Sequence, residues 1–152
     1  MIDPALAAFL QEGLAIHIGT RDAQHYPNGA RGIAVTVEGD GSYATVYVAK
    51  VAAARILPDL RANGHLAAVF CRPTDDRTCQ IKGSFVSARA ARETDCRILL
   101  DQWDSFLRNL ECIGIPRATL RAWTTWPAVA IRFRPTALFD QTPGPNAGAP
   151  LA

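Results

Sequence analysis

The sequence predicts an antiparallel β-barrel or β-sandwich with helices on its outside, and three observations support this prediction. Strand-like segments dominate residues 1–90 and are joined mostly by short, turn-rich connections. Arg31–Val37 alternates, with Arg31, Ile33, Val35 and Val37 assigned to one face of a strand. Helical periodicity occurs only in isolated segments, so the regular strand–helix alternation of a doubly wound parallel sheet is excluded.

A short helix and a meander of three strands form the predicted N-terminal part. Asp3–Gln11 is predicted to be helical, because Asp3 can cap the helix and Pro4 suits its first position. The strands that follow are rich in β-branched and apolar residues and are separated by clusters of turn-forming residues. In order, these predicted segments are the strand Leu14–Thr20, the turn 22–29, the strand Arg31–Val37, the turn 39–41 and the strand Tyr43–Ala49.

The hydrophobic period then changes to that of a helix. Ala52–Asn63 is predicted to be helical and to stop at Gly64, with Pro58 kinking it or delaying its start. The remaining predicted elements are the strands Leu66–Cys71 and Thr78–Ala88, a helix from the cap Thr94 to about Glu111, a short helix opened by Pro116, and the strand Ala128–Phe133. The domain is expected to span residues 1–141, and the Pro- and Gly-rich tail 142–152 is expected to lack regular structure.

Two of these elements have faces that matter for function. The apolar stripe predicted for the long helix consists of Cys96, Leu99, Leu100, Trp103, Leu107 and Leu110. In the strand before it, Thr78, Gln80 and Lys82 share one face, and Gly83 is a candidate bulge or point of close approach.

Composition excludes several classes of function. Sixteen basic against 14 acidic residues give a formal net charge of +2, without the basic stripe of a nucleic-acid-binding protein. No apolar run approaches the length of a membrane span, and the N-terminus lacks the features of a signal peptide. We therefore expect a cytoplasmic protein that binds neither nucleic acid nor membrane.

The sequence contains no recognisable set of catalytic side chains. The four cysteines lack a C-x-x-C pair and the histidines are not at zinc spacing, so no metal site is expected. No Ser-His-Asp set, paired catalytic carboxylates, Walker loop or G-x-G-x-x-G motif occurs. His17 lies in mid-strand, where a core or interface role is favoured over a catalytic one. Catalytic residues therefore remain unassigned, and a bound cofactor is the alternative source of reactivity.

Three cations indicate a candidate phosphate site. Arg31 opens the second strand, while Lys50 and Arg55 flank the junction between the third strand and the next helix. A helix N-terminus offers unpaired N–H groups, and cations beside it complete a phosphate site. The alternative is that all three are solvated surface charges.

A second group of residues is suited to a flat ring. The Gln80 amide can pair with the edge of a heteroaromatic imide, and Thr78 and Lys82 lie on the same strand face. An exposed strand face is the alternative. Among the tryptophans, Trp103 is expected in the core, whereas Trp126 is more open and is a candidate cofactor contact.

Residues 9–83 resemble the FMN-binding split-barrel family related to pyridoxamine 5′-phosphate oxidase. The similarity is carried by FLQEGLAIHIGTRD, by ARGIAVTVEGD, and by YATVYVAKVAAARILPDLRANGHLAAVFCRPTDDRTCQIKGSF. The ending ALFDQTPGPNAG resembles the tail of a subgroup of this family. The order of the elements is more specific than any single motif.

The resemblance implies a six-stranded antiparallel split barrel with peripheral helices, forming a homodimer with FMN in a groove between subunits. It implies that Arg31 and Arg55, with Lys50 nearby, hold the FMN phosphate, and that Thr78 or Gln80 meets the isoalloxazine edge. With Lys82 and Trp126, these are the candidate cofactor-binding residues.

One departure from the family narrows the expected function. The true oxidase has an Arg-x-His element near its C-terminus, and this chain has Arg132-Phe133-Arg134 in its place. The expectation is therefore an FMN-dependent oxidoreductase of an unknown small molecule that is not a true vitamin B6 oxidase. The alternatives are a non-catalytic flavin- or haem-binding protein and a deazaflavin-dependent reductase.

Overall fold

Six antiparallel strands close into a barrel in a computed structural model that describes residues 1–151. The strands run in the spatial order β1-β2-β3-β6-β5-β4, with β4 returning to pair with β1. The strands are β1 (Ala15–Arg21), β2 (Pro27–Val37), β3 (Ala44–Ala49), β4 (His65–Cys71), β5 (Thr78–Ala90) and β6 (Ala128–Asp140). The helices are α1 (Pro4–Leu10), α2 (Lys50–Asn63) and α3 (Glu93–Cys112), followed by a 3₁₀ turn at Arg117–Leu120. The predicted six-stranded antiparallel barrel with peripheral helices is thus confirmed.

The barrel interior is an apolar core. Alternate residues of each strand point inward, as the period of two requires. The largest side chains that are almost fully buried include Phe9, Phe70, Phe133, Ile16, Ile18, Ile56, Ile81 and Ile131. Phe9 and Ile56 belong to α1 and α2, so these two helices pack against the barrel core.

Several element boundaries differ from the prediction. β2 begins at Pro27, inside the predicted turn, because a proline needs no ladder N–H at the first residue of a strand. α2 begins at Lys50 with Pro58 inside it, so the proline does not delay the helix start. β6 runs seven residues beyond its predicted end at Phe133, to Asp140. The left-handed Gly64 (φ 72°) ends α2 as predicted.

A bulge in β2 makes the predicted alternation of that strand wrong. The pairing with β3 shifts between Gly32 and Ala34, so Ile33 and Ala34 both pack outside the barrel against α3. Val35 then returns to the interior. Arg31 and Val35 therefore lie on opposite faces, because one inserted residue inverts the facing of everything beyond it.

The long helix α3 is capped and oriented differently from the prediction. Thr94 is not the cap; the Asp95 carboxylate accepts a hydrogen bond from the Arg92 N–H at 2.8 Å. The buried positions of the helix are Asp95, Leu99, Gln102, Phe106 and Leu110. Leu100, assigned to the apolar stripe, is 63% exposed.

The C-terminal tail turns back onto the end of β6. The Leu151 N–H donates to the Leu138 carbonyl at 2.8 Å, and Phe139 forms an isolated bridge with Pro150. Turns and bends fill most of the segment between them. None of the helices in residues 1–151 combines the length and the hydropathy needed to cross a bilayer.

Substituting alanine at Gly83 is expected to lower the free energy of unfolding by about 1–3 kcal/mol. The β5–β6 pairing shifts between Lys82 and Gly83, where Thr136 of β6 is the extra residue, so the bulge lies on β6. The predicted close approach at Gly83 is confirmed, because a Cβ there would lie 2.5 Å from the Phe133 ring. Urea unfolding measures the change. Gly39→Ala is the matched control, because a Cβ there meets nothing within 4 Å. Equal stability of the two variants would contradict the close approach.

Candidate functional site

Arg31 is the centre of the candidate site. Its guanidinium lies between two aromatic rings, 4.6 Å from the ring centroid of Phe106 and 4.1 Å from that of Trp123. Its Nε is buried and has no hydrogen-bond partner within residues 1–151. Burial lowers the pKa of Arg31 to about 10, so the group remains charged at neutral pH. A half-buried, stacked guanidinium with no carboxylate partner is a ready anion ligand.

A cavity of about 400 Å³ lies between Arg31 and the start of α2. We call it the stacking cavity; it is lined by Arg31, Gly32, Ile33, Ala49, Val51, Ala52, Trp103, Ala122, Trp123 and Thr124. The Lys50 N–H donates to the Pro127 carbonyl at 2.8 Å, and no side chain caps α2. The N–H groups that follow in the first turn therefore remain available to an anion beside Arg31.

A second cavity, of about 510 Å³, lies on the outer face of the barrel on the other side of Arg31. We call it the face cavity; it is lined by His17, Ile18, Gly19, Gly29, Ala30, Arg31, Ala67, Val69 and Gln80. Arg31 pairs with His17, His17 with Val69, and Val69 with Gln80 across four strands. Since neighbouring strands lie about 4.8 Å apart, the backbones of Arg31 and Gln80 are roughly 14 Å apart.

The other two predicted phosphate ligands lie on α2 and do not line either cavity. Lys50 and Arg55 are exposed. The Asn28 side-chain amide donates to the Arg55 carbonyl at 2.6 Å and to Asp59 at 3.3 Å, and Thr20 donates to the same carboxylate at 2.7 Å. These contacts fix α2 against β1 and β2, so the cationic start of the helix has a defined position beside Arg31.

The residues that were predicted to contact a flat ring lie in different cavities of the structure. Gln80 lines the face cavity, whereas Lys82 lines a neighbouring cavity. Thr78 is occupied locally: its hydroxyl donates to the Asp76 carbonyl at 2.7 Å, and its N–H donates to the Thr142 hydroxyl at 3.1 Å. Trp126 is 45% exposed and lines a separate apolar slot of about 220 Å³ against α3. The structure therefore does not bring Thr78 or Trp126 to Arg31.

Sequence reasoning did not place two aromatic residues at the site. Phe106 was absent from the predicted stripe of α3, although it follows Leu99 by seven residues. Trp123 follows the 3₁₀ turn, in a segment without periodicity, so no sequence signal indicates that it stacks on Arg31. Trp103, expected in the core, packs partly there but also lines the stacking cavity.

The pKa of the His17 imidazole depends on the charge of Arg31. This pKa is lowered from the ordinary value of about 6.5, first by burial and then by the Arg31 charge. Arg31→Gln removes the repulsive charge and is expected to raise the pKa of His17, but not fully to its ordinary value because burial persists. An NMR titration of the imidazole measures the shift, and Arg61→Gln on α2 is the control. An unchanged or lower pKa in Arg31→Gln would contradict the proximity of the two groups.

Acidic groups are missing from both cavities. No Asp or Glu lines either of them within residues 1–151. The described part of the chain also has no group of three or more His, Cys, Asp or Glu residues arranged to hold a metal ion. The geometry favours binding of an anion joined to a flat ring, while proton transfer between paired side chains has no support.

The closed six-stranded barrel with α2 between β3 and β4 places the chain in the split-barrel fold class, as the resemblance implied. No protein-family model and no curated protein matches the chain. The solved structures that share its fold include "F420 Reductase" (TM-score 0.58, 17% identity, 86% of this chain and 93% of the other); a provisionally assigned pyridoxamine 5′-phosphate oxidase from Lactobacillus delbrueckii (0.55, 10%, 90% and 92%); and an FMN-binding protein from Syntrophomonas wolfei (0.50, 12%, 87% and 85%).

Proposed function

We propose that this chain binds FMN and acts as a flavin-dependent oxidoreductase on a small molecule. The observation that carries the proposal is Arg31: a half-buried guanidinium whose buried Nε has no hydrogen-bond partner, shared by two cavities that contain no carboxylate. A buried donor without a partner is costly unless a ligand such as an anion completes the site. One solved structure with this fold is named as an FMN-binding protein and two others as oxidoreductases, which agrees with the proposal.

The phosphate of FMN fits beside Arg31 at the start of α2. The Arg31 guanidinium would donate hydrogen bonds to it, together with the free N–H groups of the first turn of α2. Phe106 and Trp123 hold the guanidinium plane in place, so little side-chain freedom is lost on binding. Lys50 and Arg55 add positive potential around this end of the helix.

The flavin ring fits in the face cavity. Gly19 and Gly29 have no side chains and leave the sheet surface flat enough for a planar ring. Gln80 presents an amide that both donates and accepts hydrogen bonds, which matches the imide edge of the ring. In this placement the five-carbon chain between phosphate and ring passes Arg31, which lines both cavities.

When bound, FMN supplies hydride or electron transfer, which the side chains of this barrel cannot supply alone. The chain holds the phosphate, orients the ring by hydrogen bonding and keeps water from one of its faces. Arg132-Phe133-Arg134 gives no support to a substrate site for a B6 vitamer, because Phe133 is in the core and Arg132 pairs with Glu38 at 2.6 Å. We therefore do not assign vitamin B6 oxidation to it.

A second copy of the chain is proposed to cover the other face of the ring. His17, Gly19 and Gly29 are exposed on the open outer face of the sheet. A flavin lying there would have one ring face against this chain and the other in solvent. A homodimer that closes over this face gives the ring the buried environment typical of cofactor sites. Light scattering of the purified protein measures the oligomeric state, and a monomer with FMN bound would contradict the shared site.

Absorption spectroscopy tests cofactor binding. Added FMN is expected to form a yellow complex with a perturbed flavin spectrum and a Kd below the millimolar range. Parallel titrations with a deazaflavin coenzyme and with haem determine which ring system the site prefers. No complex with FMN, or tighter binding of haem, would contradict the proposal.

Stopped-flow reduction of the FMN complex by NADH and NADPH tests the enzymatic part. Bleaching of the flavin followed by reoxidation with an acceptor is expected of an oxidoreductase. A complex that no reductant bleaches would instead support a non-catalytic flavin-binding protein.

A further inference from the structure

A third cavity adjoins the face cavity at the barrel rim. It has a volume of about 520 Å³, and we call it the rim cavity. It shares Gly19 and Ala67 with the face cavity, so the two are continuous along the sheet. The side chains that give the rim cavity its chemistry are those of Arg21, His65, Lys82, Ser84 and Thr136.

The rim cavity has positive and hydrogen-bond-donating groups without acidic partners. None of Arg21, His65 and Lys82 takes part in an ion pair with a carboxylate of residues 1–151. No Asp or Glu lines the cavity among the described residues. The carboxylate behind it, Asp59, is buried and accepts the hydroxyl hydrogen of Thr20. The charges of Arg21 and Lys82 are therefore not neutralised by any carboxylate of residues 1–151.

Strand pairing places these groups next to one another, although they are far apart in the sequence. Lys82 pairs with Ala67, and Ser84 pairs with both His65 on β4 and Arg134 on β6. Arg134 is exposed and unpaired with any described carboxylate, so β6 adds positive charge at the same rim. Donors from β1, β4 and β5 thus converge on one concavity.

Lys82 connects the rim cavity with the proposed ring position. It follows Gln80 by two residues on the same strand face, about 7 Å along the strand. Its Nζ lies 5.1 Å from the ring centroid of Phe139, the residue that pairs with Gln80. The ammonium group therefore lies on the β6 side of β5, at the level of Gln80 along the strand.

We propose that the rim cavity binds the anionic group, a carboxylate or phosphate, of the substrate. Its position as the substrate site rests on the proposed function, whereas its affinity for anions does not. Lys82 and Arg21 bind the anion, and the Ser84 hydroxyl donates to it. The other end of the substrate then faces the ring position, so the substrate class is a small anionic molecule.

NMR titration of the cofactor-free protein tests anion binding. Inorganic phosphate and malonate, added separately, are expected to shift the backbone amide signals of Gly19, Gly83 and Ser84 with saturation. Lys82→Gln and Arg21→Gln are each expected to weaken this binding at least tenfold. Arg97→Gln, on a 90% exposed side chain of α3, is the control and should bind as the parent does. Absence of saturable shifts with both anions would overturn the proposal.

A second titration, on the FMN complex, distinguishes this cavity from the cofactor phosphate site. The affinity for phosphate or malonate is expected to change less than threefold when FMN is bound. Arg21→Gln is expected to leave the affinity for FMN within threefold of the parent. Competition between FMN and inorganic phosphate for the rim cavity would overturn the proposal, because the cavity would then hold the cofactor phosphate. Failure of FMN to bind contradicts only the proposed function.

Discussion

The variant Arg31→Gln is expected to bind FMN at least tenfold more weakly than the parent. A charge-assisted hydrogen bond contributes roughly 1.5–3 kcal/mol, and 1.4 kcal/mol corresponds to about tenfold in Kd. Glutamine lacks the charge and the planar fork of donors that Phe106 and Trp123 hold between their rings. Fluorescence titration of FMN measures the loss. Combining Arg31→Ala with Arg55→Ala should deepen it if α2 contributes to the same phosphate site.

The same substitution is expected to change the free energy of unfolding by less than about 1 kcal/mol. Loss of the stacking contacts destabilises the fold. The variant also no longer buries an Nε without a hydrogen-bond partner, and this gain offsets the loss. Large loss of affinity with little loss of stability is the signature of a residue retained for binding. Arg61→Gln, exposed in the last turn of α2, is the control for charge alone. Unchanged FMN affinity in Arg31→Gln would move the phosphate site elsewhere.

Gln102→Leu is expected to lower the free energy of unfolding by about 2–4 kcal/mol. The Gln102 side chain is 7% exposed and forms hydrogen bonds with both the N–H and the carbonyl of Val35. Its Oε1 accepts from the Val35 N–H at 3.0 Å, and its Nε2 donates to the Val35 carbonyl at 2.7 Å. Leucine would leave two buried backbone groups without partners, each costing about 1–3 kcal/mol. Chemical unfolding measures the change.

Gln11→Leu is the matched control for this effect. The Gln11 amide makes a similar but exposed contact with β2, accepting from the Val37 N–H at 3.4 Å. Since water can replace that contact, the change in unfolding free energy is expected to stay within about 0.5 kcal/mol. Similar losses in both variants would contradict the view that Gln102 anchors α3 to the bulge of β2.

The type and order of the main elements were predictable from local patterns. Asp3 before Pro4 capped α1 as predicted, since the Asp3 carboxylate accepts the Ala5 and Leu6 N–H groups. Gly64 ended α2, and Thr78, Gln80 and Lys82 face outward together on β5, opposite the buried Cys79 and Ile81. These features depend on residues close together in the chain, and a single sequence contains that information.

The composition of the site was only partly predictable. Arg31 was identified from its place at the start of a strand near a strand-to-helix junction, and the structure places it between two cavities. The roles of Lys50, Arg55, Gln80 and Lys82 as ligands remain predictions. Phe106 and Trp123 lie 75 and 92 residues after Arg31 in the chain, so no local pattern relates them to it.

The sequence by itself determined that this chain forms an outward-facing row of polar groups on an antiparallel sheet, because alternation and turn chemistry act over a few residues. Only the tertiary structure decided which groups meet. Because of the bulge in β2, the residues of that strand that follow it point to the opposite side of the sheet from the one predicted. The rotation of α3 about its axis places the Phe106 ring against the Arg31 guanidinium. Closure of the barrel then aligns Arg31, His17, Val69 and Gln80. Such contacts depend on register and packing between distant segments, whose energies no local pattern specifies.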